Sequence, residues 1–228
     1  MNRYLEVVMK NLVKMMMVLA ALLVLVAGHA FAYPVQVDDM IELKTTTTGG
    51  GYWVGGTWYG GGDFGVTQSG SSEVLFTTFC LEMGVFMNFN TPYRVSSIEN
   101  YVETASGNRT LQDATKYLYW HFDQGTLADV SGYQYNKDGV RALQEAIWSL
   151  EGYTLSLGSL ATNLVVLANE NASEGAGYNV RVMNLMSGNK YIQSQLIAGP
   201  MPVPEPGTLL LLGSGLAGLA LYRRRSSK

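Results

Sequence analysis

One cysteine, Cys80, and two histidines, His29 and His121, are all that this 228-residue chain has of either type. A lone cysteine cannot close an intramolecular disulfide, so the fold has to be held by its core. Charge is sparse too. Lys and Arg number 15 against 18 Asp and Glu, 14% of the residues, for a formal net charge of −3. That balance offers no basic patch to a phosphate backbone and excludes nucleic acid as a partner. The Gly-x-Ser-x-Gly, His-Glu-x-x-His, phosphate-loop and dinucleotide fingerprints are absent as well. Asp38, Asp39 and Glu42 match no EF-hand or other ligand spacing, so they are expected to be solvated, with no metal and no cofactor.

What the chain does have begins at its ends. Arg3, Lys10 and Lys14 form a basic n-region, residues 15–28 an apolar h-region, and Ala30-Phe31-Ala32 a small-residue cleavage site. These predict a signal peptide over residues 1–32, cut after Ala32. At the other end, Pro204-Glu205-Pro206 precedes an apolar run over residues 207–222 and then Arg223, Arg224 and Arg225. The run is shorter than the ~20 residues that comfortably cross a bilayer, and the arginines resist translocation, which leaves everything upstream outside the cytoplasm. Tripeptide, short span and arginine cluster together resemble the PEP-CTERM sorting signal of Gram-negative bacteria, here over residues 203–225. An ordinary C-terminal anchor is the alternative. The resemblance implies processing by an exosortase, a transient stay in the inner membrane, and delivery to the cell surface or an extracellular, biofilm-type matrix. Between a signal peptide at 1–32 and a sorting tail at 201–228 lies one domain, residues 33–200, long enough to bury a core.

The pattern along that domain predicts an α+β fold with strands before and after a helical middle. Up to about Asn100, short β-favouring runs at residues 52–54, 57–59 and 73–79 alternate with the glycine clusters 49–51 and 60–62. Then Leu111, Ala114, Thr115, Leu118 and Phe122 recur at helical spacing behind Thr110, an expected N-cap. Asn136 is expected to cap a second helix ending at Gly152, with Val140, Leu143, Ile147 and Leu150 on one face. Residues 159–169 read as a third, buried helix, and 178–186 and 190–197 as strands joined by a Ser187-Gly188-Asn189 turn.

Cys80 is the centre of any chemistry. For a lone exported cysteine a buried, inert thiol is the ordinary expectation. Two local patterns argue otherwise: Phe79-Cys80-Leu81-Glu82 at a strand end, and Leu143-Gln144-Glu145-Ala146-Ile147-Trp148 within the second helix. The pair resembles the thioester domains of bacterial surface adhesins, in which the cysteine of a Cys-x-Glu or Cys-x-Asp setting is joined to the glutamine of a Gln-x-Ala-Ile-Trp motif. The resemblance covers residues 73–153 and implies a bond from the Cys80 sulfur to the Gln144 acyl carbon. It further implies single-use attachment to a partner's amine or a polysaccharide hydroxyl, not enzymatic turnover. Trp148, at i+4 from Gln144, shares its helical face and is a candidate shield, with Tyr117 and Trp120 as further candidates. Glu82 and Glu145 are candidates to orient Gln144 or accept a proton, with surface solvation the simpler expectation for Glu145. His121 is a candidate proton shuttle, though a polar helix-end residue is its simpler reading. Two other functions compete with attachment. One is a structural or carbohydrate-associated matrix protein; the other is a cysteine hydrolase built on Cys80 and His121.

Overall fold

The computed structural model describes residues 33–46, 48, 52–54, 57–59, 61–200 and 215, so the signal peptide, its cleavage site and all of the sorting tail but residue 215 lie outside the described residues. The fold is α+β, as the pattern predicts. Ten strands run β1 Met40–Thr45, β2 Tyr52–Val54, β3 Thr57–Tyr59, β4 Asp63–Gln68, β5 Phe76–Phe79, β6 Tyr93–Glu99, β7 Tyr101–Thr104, β8 Gly107–Thr110, β9 Val180–Ser187 and β10 Lys190–Ala198. Between β8 and β9 come helices α1 Asp113–Asp123, α2 Leu127–Ser131, α3 Lys137–Leu150, α4 Ser159–Glu170 and α5 Ala172–Gly175.

Six strands form one antiparallel sheet in the order β10-β9-β6-β1-β4-β5. Its two edges then meet. Cys80 forms an antiparallel bridge with Gln195, the Leu81 N–H donates to the Ser194 carbonyl at 3.0 Å, and the Thr78 hydroxyl donates to the Leu196 carbonyl at 2.5 Å. The sheet thereby curls into a barrel, which removes the exposed edges an open sheet would carry.

Alternation along the strands sorts their side chains into two cores. Ile41, Leu43, Phe64, Val66, Val95 and Leu185 fill the barrel. Phe79, Leu81, Val180, Val182 and Leu196 face outward and pack against Leu118, Leu143, Ile147 and Leu164 of the helices. Each such fully buried side chain contributes about 1.5–3 kcal/mol relative to exposure. On β5 and the residues after it the pleat places Phe79 and Leu81 in the helical core and Cys80, between them, in the barrel core.

Several expectations meet the structure directly. The Asn136 side chain accepts the Gly139 N–H at 2.9 Å and caps α3, and Gly188, at φ 58°, makes the turn between β9 and β10. Thr110, by contrast, ends β8, and the N-cap of α1 is Gln112, with no side-chain cap bond. The change from strand to helix falls after the β7–β8 hairpin instead of near Asn100, because residues 101–110 pair with each other. The expected strand over 73–79 begins only at Phe76. Strands β1, β4, β6, β7 and β8 and the short helices α2 and α5 have no counterpart among the elements expected from the sequence pattern.

Candidate functional site

Helix α3 stands with most of its apolar face in the helical core, through Val140, Leu143, Ala146 and Ile147. Trp148 belongs instead to the barrel core, which it shares with Cys80. Gln144, one turn before Trp148, is fully buried with no exposed surface, as is Cys80. The two residues singled out in the sequence therefore meet across 64 positions of chain. The Cys80 thiol donates to Gln144 Oε1 at 3.2 Å, and Gln144 Nε2 donates to the Cys80 carbonyl at 2.9 Å.

Two backbone groups complete the contacts of that amide. The N–H of Gly62 donates to Gln144 Oε1 at 3.1 Å and the N–H of Cys80 at 3.3 Å. A carbonyl oxygen that accepts two fixed backbone N–H groups is polarised toward the charge it would carry under nucleophilic attack, and donors so placed act most strongly where water is excluded. Here sulfur, carbonyl and donors are all buried.

Gly61 and Gly62, to which the sequence assigns only loop character, are part of this site. A Cβ on Gly61 would sit 2.5 Å from the Trp148 ring and 3.0 Å from Gln144 Cγ, so no side chain fits there. Gly62, at φ 140°, takes a backbone conformation that residues with a Cβ rarely adopt and so aims its N–H at the amide oxygen. The next residue, Asp63, is fully buried and accepts from the hydroxyls of Thr48 and Tyr135, which fixes the turn from outside.

Burial pushes the Cys80 thiol strongly up. The backbone N–H groups of Cys80 and Gly62 and the Trp148 indole oppose that shift, while the charge of Glu82 adds to it. Cys80 is thus held as a neutral thiol, a poor free nucleophile toward anything dissolved in water.

The supporting residues are distributed differently from expectation. Glu82 makes no bond to Gln144. Its carboxylate accepts the Ser194 N–H at 2.9 Å and its carbonyl accepts Gln193 Nε2 at 2.8 Å, so it ties the segment after β5 to β10. Burial raises its pKa, opposed by the bonds from Ser194 and the charge of Arg109. His121 bonds through Nδ1 to the Thr126 hydroxyl at 2.7 Å and through Nε2 to the Tyr178 hydroxyl at 3.4 Å, and its ring packs on Tyr117 and Tyr178. None of those contacts involves Cys80 or Gln144, and burial lowers its pKa. Tyr117 belongs to the helical core and Trp120 stacks on Tyr178, so of the proposed shields only Trp148 shares the barrel core with Cys80. Glu145, expected in solvent, is buried and paired with Arg141 at 2.9 Å. Glu42 is likewise buried, and it accepts from Lys44, Ser69 and Gly70.

Comparison with known families bears on the tail. Residues 202–225 match the model of the PEP-CTERM protein-sorting motif. The chain carries an exosortase sorting signal. It is therefore an exported protein, processed by exosortase and sorted to the cell surface, and the match starts one residue before the boundary read from the sequence. No curated protein and no solved structure matches the chain.

Proposed function

We propose that this surface domain forms an internal thioester between Cys80 and Gln144 and spends it once, in covalent attachment to a nucleophile on a partner. The observation that carries the reading is the amide of Gln144 held between the Cys80 thiol and two backbone N–H donors, both side chains without exposed surface. In formation, the Cys80 sulfur attacks the Gln144 Cδ, the C–N bond breaks, and the thiol proton leaves on the nitrogen as ammonia. The Gly62 and Cys80 N–H groups stabilise the oxyanion between those events, and one such donor is commonly worth about 3 kcal/mol. Proximity offsets the poor leaving group, since oriented intramolecular reactions reach effective molarities of ~10⁵ M or more. In attachment, a partner's amine or hydroxyl attacks the same carbon, the C–S bond breaks, and the sulfur recovers a proton. An amide or ester remains, so there is one event per molecule and no turnover.

The competing reading, a structural matrix protein with Cys80 as a buried thiol, draws on the same burial. The hydrolase reading is weaker, because Cys80 is a strongly disfavoured thiolate and His121 is engaged elsewhere. Intact mass and thiol titration of the denatured domain separate them. The thioester predicts a wild-type mass lower by one ammonia and a masked thiol that methylamine releases, with Cys80→Ala and Gln144→Ala at their sequence masses and inert. A full sequence mass with a titratable Cys80, in protein isolated without nucleophiles, would overturn it in favour of the matrix protein.

A further inference from the structure

On the side of the barrel where β5 meets α1 and α2 there is a cavity of about 520 Å³, within the range that holds a small ligand. Four aromatic residues line it: Phe76, Phe122, Tyr133 and Tyr135. Phe122 meets Tyr133 edge-on at 6.3 Å between centroids and Tyr135 at 5.8 Å, so these rings stand at angles to one another. Tyr135 is 53% exposed, yet its position is fixed by its hydroxyl, which donates to the buried Asp63 at 2.5 Å. An exposed ring held in place from behind loses little freedom when a ligand covers it.

The polar groups define the ligand further. Among the described residues, Asp123 is the single charged residue lining the cavity and no Lys, Arg or His lines it, which disfavours phosphates, sulfates and uronic acids. The Tyr133 hydroxyl is buried and has no hydrogen-bond partner among the described residues. A phenol both donates and accepts. An ammonium only donates and leaves the phenolic proton unmatched, whereas a polyol satisfies both capacities and can also donate to Asp123. Flat apolar walls with a few such groups suit a pyranose ring, whose C–H face packs on an aromatic ring while its edge hydroxyls make hydrogen bonds.

We infer that this cavity is a binding site for a neutral pyranose residue, stacked on Tyr135 and hydrogen-bonded by Tyr133 and Asp123. The site is non-covalent and does not depend on the thioester.

Calorimetric titration of the mature protein tests this, with neutral tetrasaccharides of glucose, galactose and mannose as probes and choline and glucuronic acid as contrasts. At least one neutral tetrasaccharide should bind saturably and more tightly than either contrast. Tyr135→Ala should weaken it about tenfold through loss of the stacking face, and Tyr133→Phe, which keeps the ring, about three- to tenfold. Ala128→Trp, at an exposed position on α2 lining the cavity, should block binding by filling the space. Cys80→Ala should leave the affinity unchanged, which separates failure of this site from failure of the thioester. Absence of saturable binding at millimolar saccharide, tighter binding of choline or glucuronic acid, or full affinity in Ala128→Trp would overturn the assignment.

Discussion

Helices α1 and α3 carry similar residues to different ends. Each presents aromatic and polar side chains on a buried face, and α1 with Tyr117, Tyr119, Trp120 and His121 is the richer in groups usually associated with chemistry. Those groups are consumed locally: Tyr119 donates to the Thr77 carbonyl, Trp120 stacks on Tyr178, and His121 bonds Thr126. On α3 the single amide of Gln144 reaches out of its own core into the barrel, where its four hydrogen bonds are with Cys80 and the backbone of Gly62. On the proposed function, reactivity would follow from which core a side chain enters, more than from how many titratable groups a helix bears.

The largest expected effect tests whether stability and chemistry separate along α3. Glu151, the C-cap of α3, has no side-chain exposure and is paired with Arg109, while it also accepts from the Gln112 N–H at 3.1 Å and the Thr115 hydroxyl at 2.7 Å. It fastens α3 to α1 and to β8. Glu151→Ala should cost about 3–5 kcal/mol in denaturant unfolding, because it leaves buried donors and a cation without their acceptor. The fraction that remains folded should still mask the Cys80 thiol.

Gly61→Ala should behave in the opposite way. Its methyl would displace Trp148 or Gln144 at a cost of about 1–3 kcal/mol, but a shift of even 1 Å at the amide should slow thioester formation by roughly a hundredfold. The yield of ammonia-depleted mass after expression measures it. Normal yield would mean that the glycine serves packing alone and that the contrast between the two helices is overdrawn.

A smaller effect belongs to Glu82. Its folded-state pKa is raised, so between the ordinary carboxylate value and the raised one the folded protein binds a proton that the unfolded chain does not, and stability falls as pH rises through that window. Glu82→Gln should remove that slope and leave stability at pH 7 changed by less than about 1 kcal/mol. Unfolding midpoints from pH 4 to pH 8 show it as a flatter profile than wild type.

The parts of this arrangement that side chains announce could be read in advance. Asn136 followed by an apolar periodicity identifies α3, and the Cys80 and Gln144 motifs identify the pair that meets. Strand β1 carried a usable alternation, Ile41 and Leu43 inward against Glu42 and Lys44, but it adjoins a threonine tract that blurs its end. Strand β4 hides behind Gly65, which weakens its pattern while giving room to Val74. The two donors at Gln144 Oε1 are main-chain N–H groups, and a backbone amide has no residue-type signature. Only the glycines that make room for them could have pointed there, and glycine is abundant in that segment for flexible turns as well.

The separation of 64 positions between Cys80 and Gln144 has a consequence for the unfolded chain. A bond between them closes a loop that takes in β6, β7, β8, α1, α2 and most of α3, and cross-linking a loop of that length removes chain entropy worth about 4 kcal/mol from the unfolded state. The proposed thioester would therefore be a staple as well as a store of acyl reactivity. On the proposed function, capture of a partner would release the sulfur and open that loop, leaving the attached molecule a looser protein than the one that waits.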